Sequence, residues 1–88
     1  MANHPSAQKR HRQILKRELR NKNIRTAMRT KVKKARAAIE AGDFAAAKDG
    51  VHAAILAIAR SVTQGVLKKN TAARSISRIQ LALNKIAS

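Results

Sequence analysis

The residues best suited to do chemistry in this chain are cations that recur at helical spacing near its start. Residues 1–36 contain 13 Lys and Arg but only one acid, Glu18. Like charges on one helix face repel each other, so a helix of this kind is favoured beside a polyanion such as nucleic acid. The first stripe is Lys9, Arg12, Lys16 and Arg20, with Arg10 and Arg17 on a neighbouring face, and the second is Lys22, Arg25, Arg29, Lys33 and Arg36.

A second group of cations lies in the last third of the chain. If a helix begins there, its free N-terminal amides would point toward the same anion as the cations. This basic group comprises the cations Lys68, Lys69, Arg74 and Arg78 and the polar Asn70 between them. Polar side chains that can donate to phosphate or ribose oxygens also lie between the cations of the first segment, at Asn21, Asn23, Thr26 and Thr30.

Other kinds of chemistry lack matching residues. His4, His11 and His52 show no metal-ligand spacing, and the chain has no Cys. The acids do not pair as a general acid and base, and no glycine-rich phosphate loop occurs. We therefore expect no enzyme activity, cofactor, metal or small-molecule substrate. Since Phe44 is the single aromatic residue, phosphate contacts and the shape of folded nucleic acid should dominate binding over base stacking.

The composition also limits the partners. The net charge is +16 in 88 residues, and such self-repulsion favours a state bound to a charged partner. An anionic membrane is a second candidate, but the basic segment lacks a broad apolar face and aromatic anchors. No apolar run approaches the roughly 20 residues of a membrane span, and no signal peptide is evident. The sequence predicts a cytoplasmic protein without membrane contact.

Turn and cap residues divide an otherwise helical pattern at two places. Gly42 and Asp43 mark the first corner, and Gly65 marks the second. No strand pattern is present. The sequence predicts one all-α domain, 1–88, folded as an up-down-up bundle of three helices, with a flexible tail at 1–5 and helices over 6–41, 44–64 and about 68–87.

Apolar spacing predicts which parts of these helices are packed. Before Ile24 apolar residues are sparse, so the first helix should protrude from the bundle as a basic arm. We expect residues 6–22 to fray until a polyanion binds them. The three apolar stripes are Ile24, Met28, Val32, Ala35 and Ile39; Phe44, Ala47, Val51, Ala54, Ile58 and Val62; and Ala72, Ile76, Ile79, Leu83 and Ile86.

Four segments, in register along nearly the whole chain, resemble the bacterial small-subunit ribosomal protein S20 family. They are residues 6–10, 21–34, 38–47 and 65–74, which read SAQKR, NKNIRTAMRTKVKK, AIEAGDFAAA and GVLKKNTAAR. The resemblance implies a three-helix bundle with an extended first helix and direct binding to 16S ribosomal RNA of the 30S subunit, mainly its 5′ domain. The chain departs from the family pattern at Thr71 and over 75–77, where basic residues are common.

These observations predict a structural RNA-binding protein of the ribosome that neutralises phosphates and stabilises 16S RNA folding during 30S assembly, without forming a homo-oligomer. The alternative is a nucleoid-type protein that coats DNA without sequence preference. Charge permits the alternative, whereas the single protruding helix and the lack of a dimer seam argue against it. The predicted RNA-binding residues are Ser6, Lys9, Arg10, Arg12, Lys16, Arg17, Arg20, Asn21, Arg25, Arg29, Thr30, Lys33, Lys34, Lys68, Lys69, Asn70, Arg74 and Arg78.

Overall fold

Three α-helices joined by two short connections make up the fold. A computed structural model of the chain describes the backbone of residues 5–87 and the side chains of residues 6–87. The helices are α1 (Pro5–Glu40), α2 (Phe44–Thr63) and α3 (Lys69–Ala87), and no strand occurs between residues 5 and 87. The all-α prediction is therefore confirmed.

The helix bounds differ slightly from the predicted ones. Pro5 is the first residue of α1 rather than part of a tail, because proline suits the first helical turn, where an amide proton would have no partner. The rest of the predicted tail, including His4, lies outside the described residues. α1 ends at Glu40 instead of residue 41, α2 ends at Thr63 instead of residue 64, and α3 begins at Lys69 instead of residue 68.

The corner between α1 and α2 is fixed by two adjacent residues. Gly42 has a φ of +74°, which L side chains rarely adopt, and its amide donates to the carbonyl of Ile39 at 3.0 Å. Asp43 then caps α2, since its carboxylate accepts from the amide of Ala46 at 3.3 Å. Both residues act as the sequence predicted.

The second corner also turns on a glycine. Gly65 has a φ of +76°, and the next two amides, of Val66 and Leu67, donate to the carbonyl of Ser61 at 2.9 and 3.2 Å. These bonds satisfy the free carbonyl end of α2 before the chain enters α3. Two tight corners give α2 the opposite direction to both of its neighbours.

The core lies where α2 packs against α1 on one side and α3 on the other, whereas α1 and α3 make few direct contacts. Most of the predicted stripe residues are buried or half-buried. Phe44 is an exception: it is 42% exposed, because the first residue of α2 lies at the corner beside the end of α1. The fully or nearly buried apolar side chains are Ala35, Ala47, Val51, Ala54, Ile58, Ala72, Ile79 and Leu83.

Ser61 is buried in α2, which the apolar stripe did not predict. It is 1% exposed, and its hydroxyl donates to the carbonyl of Ala57 at 2.9 Å. A buried hydroxyl is tolerated when it is hydrogen-bonded in this way. The small side chain lies beside Ile24 and Met28 of α1.

The molecule is long for its chain length. Its principal extents are 65 × 21 × 14 Å and its radius of gyration is 17.7 Å, whereas a compact chain of this size has a radius of about 12 Å. The difference reflects the length of α1, whose first half extends past the bundle. Over the described residues, none of the helices combines the length and the apolar character that crossing a membrane requires.

Candidate nucleic-acid interface

The first half of α1 projects from the bundle as an arm. Every side chain from Ser6 to Arg20 is exposed, and these 15 residues extend about 22 Å at the 1.5 Å rise of an α-helix. The apolar residues of this arm are exposed too, with Ile14 at 44%, Leu15 at 50% and Leu19 at 61%. The predicted protrusion is confirmed. The arm, residues 6–20, carries six cations and one acid.

The two cationic stripes of α1 lie on different sides of the helix. Lys9 and Lys22, the first members, are 13 residues apart, which is an offset of about 140° at 3.6 residues per turn. The second stripe faces α3, since Arg29 and Lys33 line a groove with Ser75. The first stripe points away from α3. Cations therefore surround α1, so anionic groups can approach it from two sides at once.

The bundle half of α1 keeps its predicted cations exposed. Arg25, Arg29, Lys33 and Lys34 are all exposed, on the two flanks of the packed face. The side chains of Ile24, Met28, Val32 and Ile39, which alternate with them at helical spacing, are half-buried against the bundle. The same helix thus packs on one face and presents charge beside that face.

Two predicted polar donors of α1 are partly engaged within the helix. The hydroxyl of Thr30 donates to the carbonyl of Thr26 at 2.8 Å, so its proton is not available to a phosphate while that bond persists. Asn21 is half-buried, and its Oδ1 accepts a long 3.5 Å bond from Arg20. Its side-chain amide protons keep the capacity to donate. Thr30 is therefore better suited to accept than to donate.

The second basic group surrounds the beginning of α3, and all five of its residues are exposed. Lys69 and Asn70 lie in the first turn, and the carbonyl of Lys68 accepts from the amide of Ala72 at 3.0 Å. Because α2 reverses the chain, the start of α3 lies at the end of the bundle from which the arm projects. The fold therefore brings the base of the arm and the cations at the start of α3, more than 40 residues apart in sequence, to one end of the bundle.

A groove between α1 and α3 was not predicted from the sequence. It has a volume of about 560 Å³, with Met28, Val32 and Ile58 along its floor and Ser75 on the α3 side. Arg29 lies on its α1 rim, with Lys33 and Arg36 further along. The groove exists because α1 and α3 both pack against α2 and make few contacts with each other. Only the adjacency of apolar and cationic stripes hinted at it in the sequence.

Between residues 5 and 87, no three His, Asp or Glu side chains are close enough together to hold a metal ion. An elongated helical bundle with a projecting basic helix and cations gathered at one end of the bundle is suited to binding a polyanion. Comparison with known proteins identifies the family.

The family model of ribosomal protein S20 matches residues 2–84 of the chain. A protein of Anaeromyxobacter sp. (strain Fw109-5), named small ribosomal subunit protein bS20, is 48% identical over 99% of this chain and 97% of its own length. Proteins with the same name from Maridesulfovibrio salexigens and Helicobacter pylori (strain 26695) are 45% and 41% identical, each over 99% of this chain and 100% and 98% of their own lengths. This chain belongs to the ribosomal protein S20 family.

Proposed function

We propose that this protein is a structural, non-catalytic component of the bacterial small ribosomal subunit, and that it binds 16S ribosomal RNA directly. Membership of the S20 family supports its place in the subunit and hence in the bacterial cytoplasm. The observation that carries the RNA contact is the arm, in which 15 consecutive side chains are exposed and cations outnumber acids by six to one. No packing function explains such a segment.

Binding rests on phosphate neutralisation. Arg side chains of the arm can hold phosphates with two parallel hydrogen bonds, and Lys side chains add point charges. Because the stripes lie on two sides of α1, phosphates of two RNA segments can be neutralised by one helix. Closely packed RNA strands then repel each other less, which stabilises the folded RNA during assembly.

The proposed contact residues are those predicted from the sequence, with one change of role. Thr30 serves as an acceptor, for example from a ribose hydroxyl, since its proton is bonded to Thr26. The cations at the start of α3 contact the same RNA region as the base of the arm, because both lie at one end of the bundle. The family resemblance further favours the 5′ domain of 16S RNA, early in assembly, as the target of a monomeric protein.

The experiment is a titration of the full chain with a transcript of the 16S 5′ domain at several KCl concentrations, with duplex DNA of equal charge as competitor. We expect the RNA affinity to fall by about 10³-fold or more between 50 and 200 mM salt if six or more phosphates are contacted. RNA should be preferred over DNA. A nearly flat salt dependence would refute the proposal, and equal affinity for DNA would favour a DNA-coating function instead.

A further inference from the structure

The groove between α1 and α3 combines two properties that a phosphate-binding surface does not need together. Its floor is apolar, formed by the half-buried side chains of Met28 and Val32 above the buried Ile58. Its rim is cationic and exposed, with Arg29, Lys33 and Arg36 on the α1 side. A ligand that fits both must carry negative charge next to a flat or compact apolar surface.

The stacked bases of an RNA duplex cannot place a face on this floor, because each face is covered by the next base pair and only base edges, sugars and phosphates are exposed. An unpaired nucleotide can, since its base is free to leave the stack while its phosphates stay on the strand. The volume of about 560 Å³ falls in the range of about 300–1,000 Å³ that is typical of small-ligand sites. We infer that this groove receives one unpaired nucleotide of the bound RNA, with the base on Met28 and Val32 and the flanking phosphates on Arg29 and Lys33.

Glu40 determines which end of the groove the RNA backbone can occupy. It lines the same groove at the C-terminal end of α1, one turn beyond Arg36, and is exposed. Its carboxylate repels phosphate, so the RNA backbone passes the Arg29 end and the base points along the groove toward Glu40. The hydroxyl of Ser75 lines the groove from the α3 side, where it can bond a base or a ribose.

An acidic peptide would also match the charge of the rim. The nucleotide is favoured because cations of the second stripe line the groove on α1, and two further exposed cations, Arg74 and Arg78, lie within one turn of Ser75 on α3. An RNA strand that contacts these cations already passes beside the groove. This inference rests on the proposed RNA-binding function but makes a separate claim, namely that a base is read as well as the backbone.

The first test is photo-crosslinking from the floor. The full chain, with Met28 replaced by a photoreactive diazirine analogue of methionine, is bound to the 16S 5′ domain transcript and irradiated, and the crosslinked nucleotide is mapped. We expect a crosslink from position 28 to the base of a nucleotide that is unpaired in the RNA. Crosslinks only to paired nucleotides, to another protein in reconstituted subunits, or to nothing would overturn the inference.

The second test fills the groove without removing charge. Ser75→Leu places an apolar side chain in it, and Ser77→Leu makes the same change two residues along on an exposed position. We expect about a tenfold loss of RNA affinity for Ser75→Leu, which corresponds to about 55 Å² of apolar contact between the base and the floor, and less than a twofold change for Ser77→Leu. Circular dichroism melts of both variants confirm that each is folded.

The outcomes separate this inference from the proposed function. If wild-type protein binds the transcript with a steep salt dependence but Ser75→Leu binds equally well, the groove does not hold a nucleotide and the RNA-binding function stands. If wild-type protein shows no salt-dependent binding, the proposed function itself fails. The salt dependence of Ser75→Leu should match that of the wild type, because the substitution removes no phosphate contact.

Discussion

Single residues decide how closely α1 and α2 can pack. Gly50 lies inside α2 and faces Ala35 of α1, which is fully buried. A Cβ atom on Gly50 would lie 3.2 Å from the Cα atom of Ala35, which is backbone and cannot rotate away. Glycine in a helix costs about 1 kcal/mol relative to alanine. Glycine fits this position in spite of that cost because the axes of α1 and α2 approach each other closely here.

The Gly50→Ala variant should therefore be less stable than the wild type, although alanine is the better helix former. Overpacking typically costs about 1–3 kcal/mol, which exceeds or equals the gain of about 1 kcal/mol in helix propensity. Thermal unfolding followed by circular dichroism measures the difference. Ala59→Gly, at an exposed position of α2, isolates the propensity term and should cost about 1 kcal/mol. A raised midpoint for Gly50→Ala would contradict the close approach.

At the scale of helices, α1 consists of two parts with different sources of stability. From Asn21 onward its side chains begin to pack on the bundle, whereas from Ser6 to Arg20 all are exposed. Isolated helices shorter than about 12–15 residues are marginal in water, and like charges at i,i+4 weaken them further. The helical state of the arm therefore depends on what lies beside it.

We predict that amides of the arm exchange with solvent much faster than those of the packed helices in the free protein, and become protected when RNA binds. Hydrogen exchange read by mass spectrometry resolves the two regions. Peptides covering Val51–Ile58 in α2, where the buried residues concentrate, provide the internal control because they should be protected in both states. Strong protection of residues 6–20 without RNA would show that the arm is stable by itself.

A matched pair of double variants tests which cations meet phosphate. Lys16→Gln with Arg20→Gln neutralises two positions of the arm, whereas Lys48→Gln with Lys85→Gln removes the same charge at the other end of the bundle. Each lost phosphate contact lowers the slope of log affinity against log salt by about one. We expect the slope of log affinity against log salt to decrease by about two for the arm variant and to change little for the Lys48/Lys85 control. Equal losses would mean that net charge alone, and not the arm, determines binding.

Helix number, order and packed faces could be predicted from the sequence because they depend on local signals. Gly42, Asp43 and Gly65 define corners through backbone geometry, and the apolar stripes define faces through a fixed period. The exposure of Phe44 could not be predicted in this way, because it depends on where the neighbouring helices end. The burial of Ser61 and the groove beside Arg29 depend on how α1 and α3 lean on α2, which no local pattern encodes.

At the scale of the whole molecule, charge acts in opposite directions on folding and on binding. The chain carries a net charge of +16, spread over a particle whose smaller extents are 21 and 14 Å. Many cations of the bundle half therefore lie within the Debye length of about 10 Å at 0.1 M salt. Their repulsion destabilises the free protein, whereas the same charges attract phosphate.

Salt should consequently stabilise the free protein while it weakens the RNA complex. Raising KCl from 0.05 to 0.5 M screens repulsion in the bundle, and a gain of about 1 kcal/mol would raise the unfolding midpoint by about 4–8 °C for a domain of this size. Over the same range the RNA affinity should fall steeply, because the release of counterions from the phosphates becomes less favourable as the salt concentration rises. Calorimetry of the free chain and a binding titration provide the two measurements. A midpoint that falls with KCl would show that attractive surface pairs, rather than repulsion among the cations, dominate the free protein.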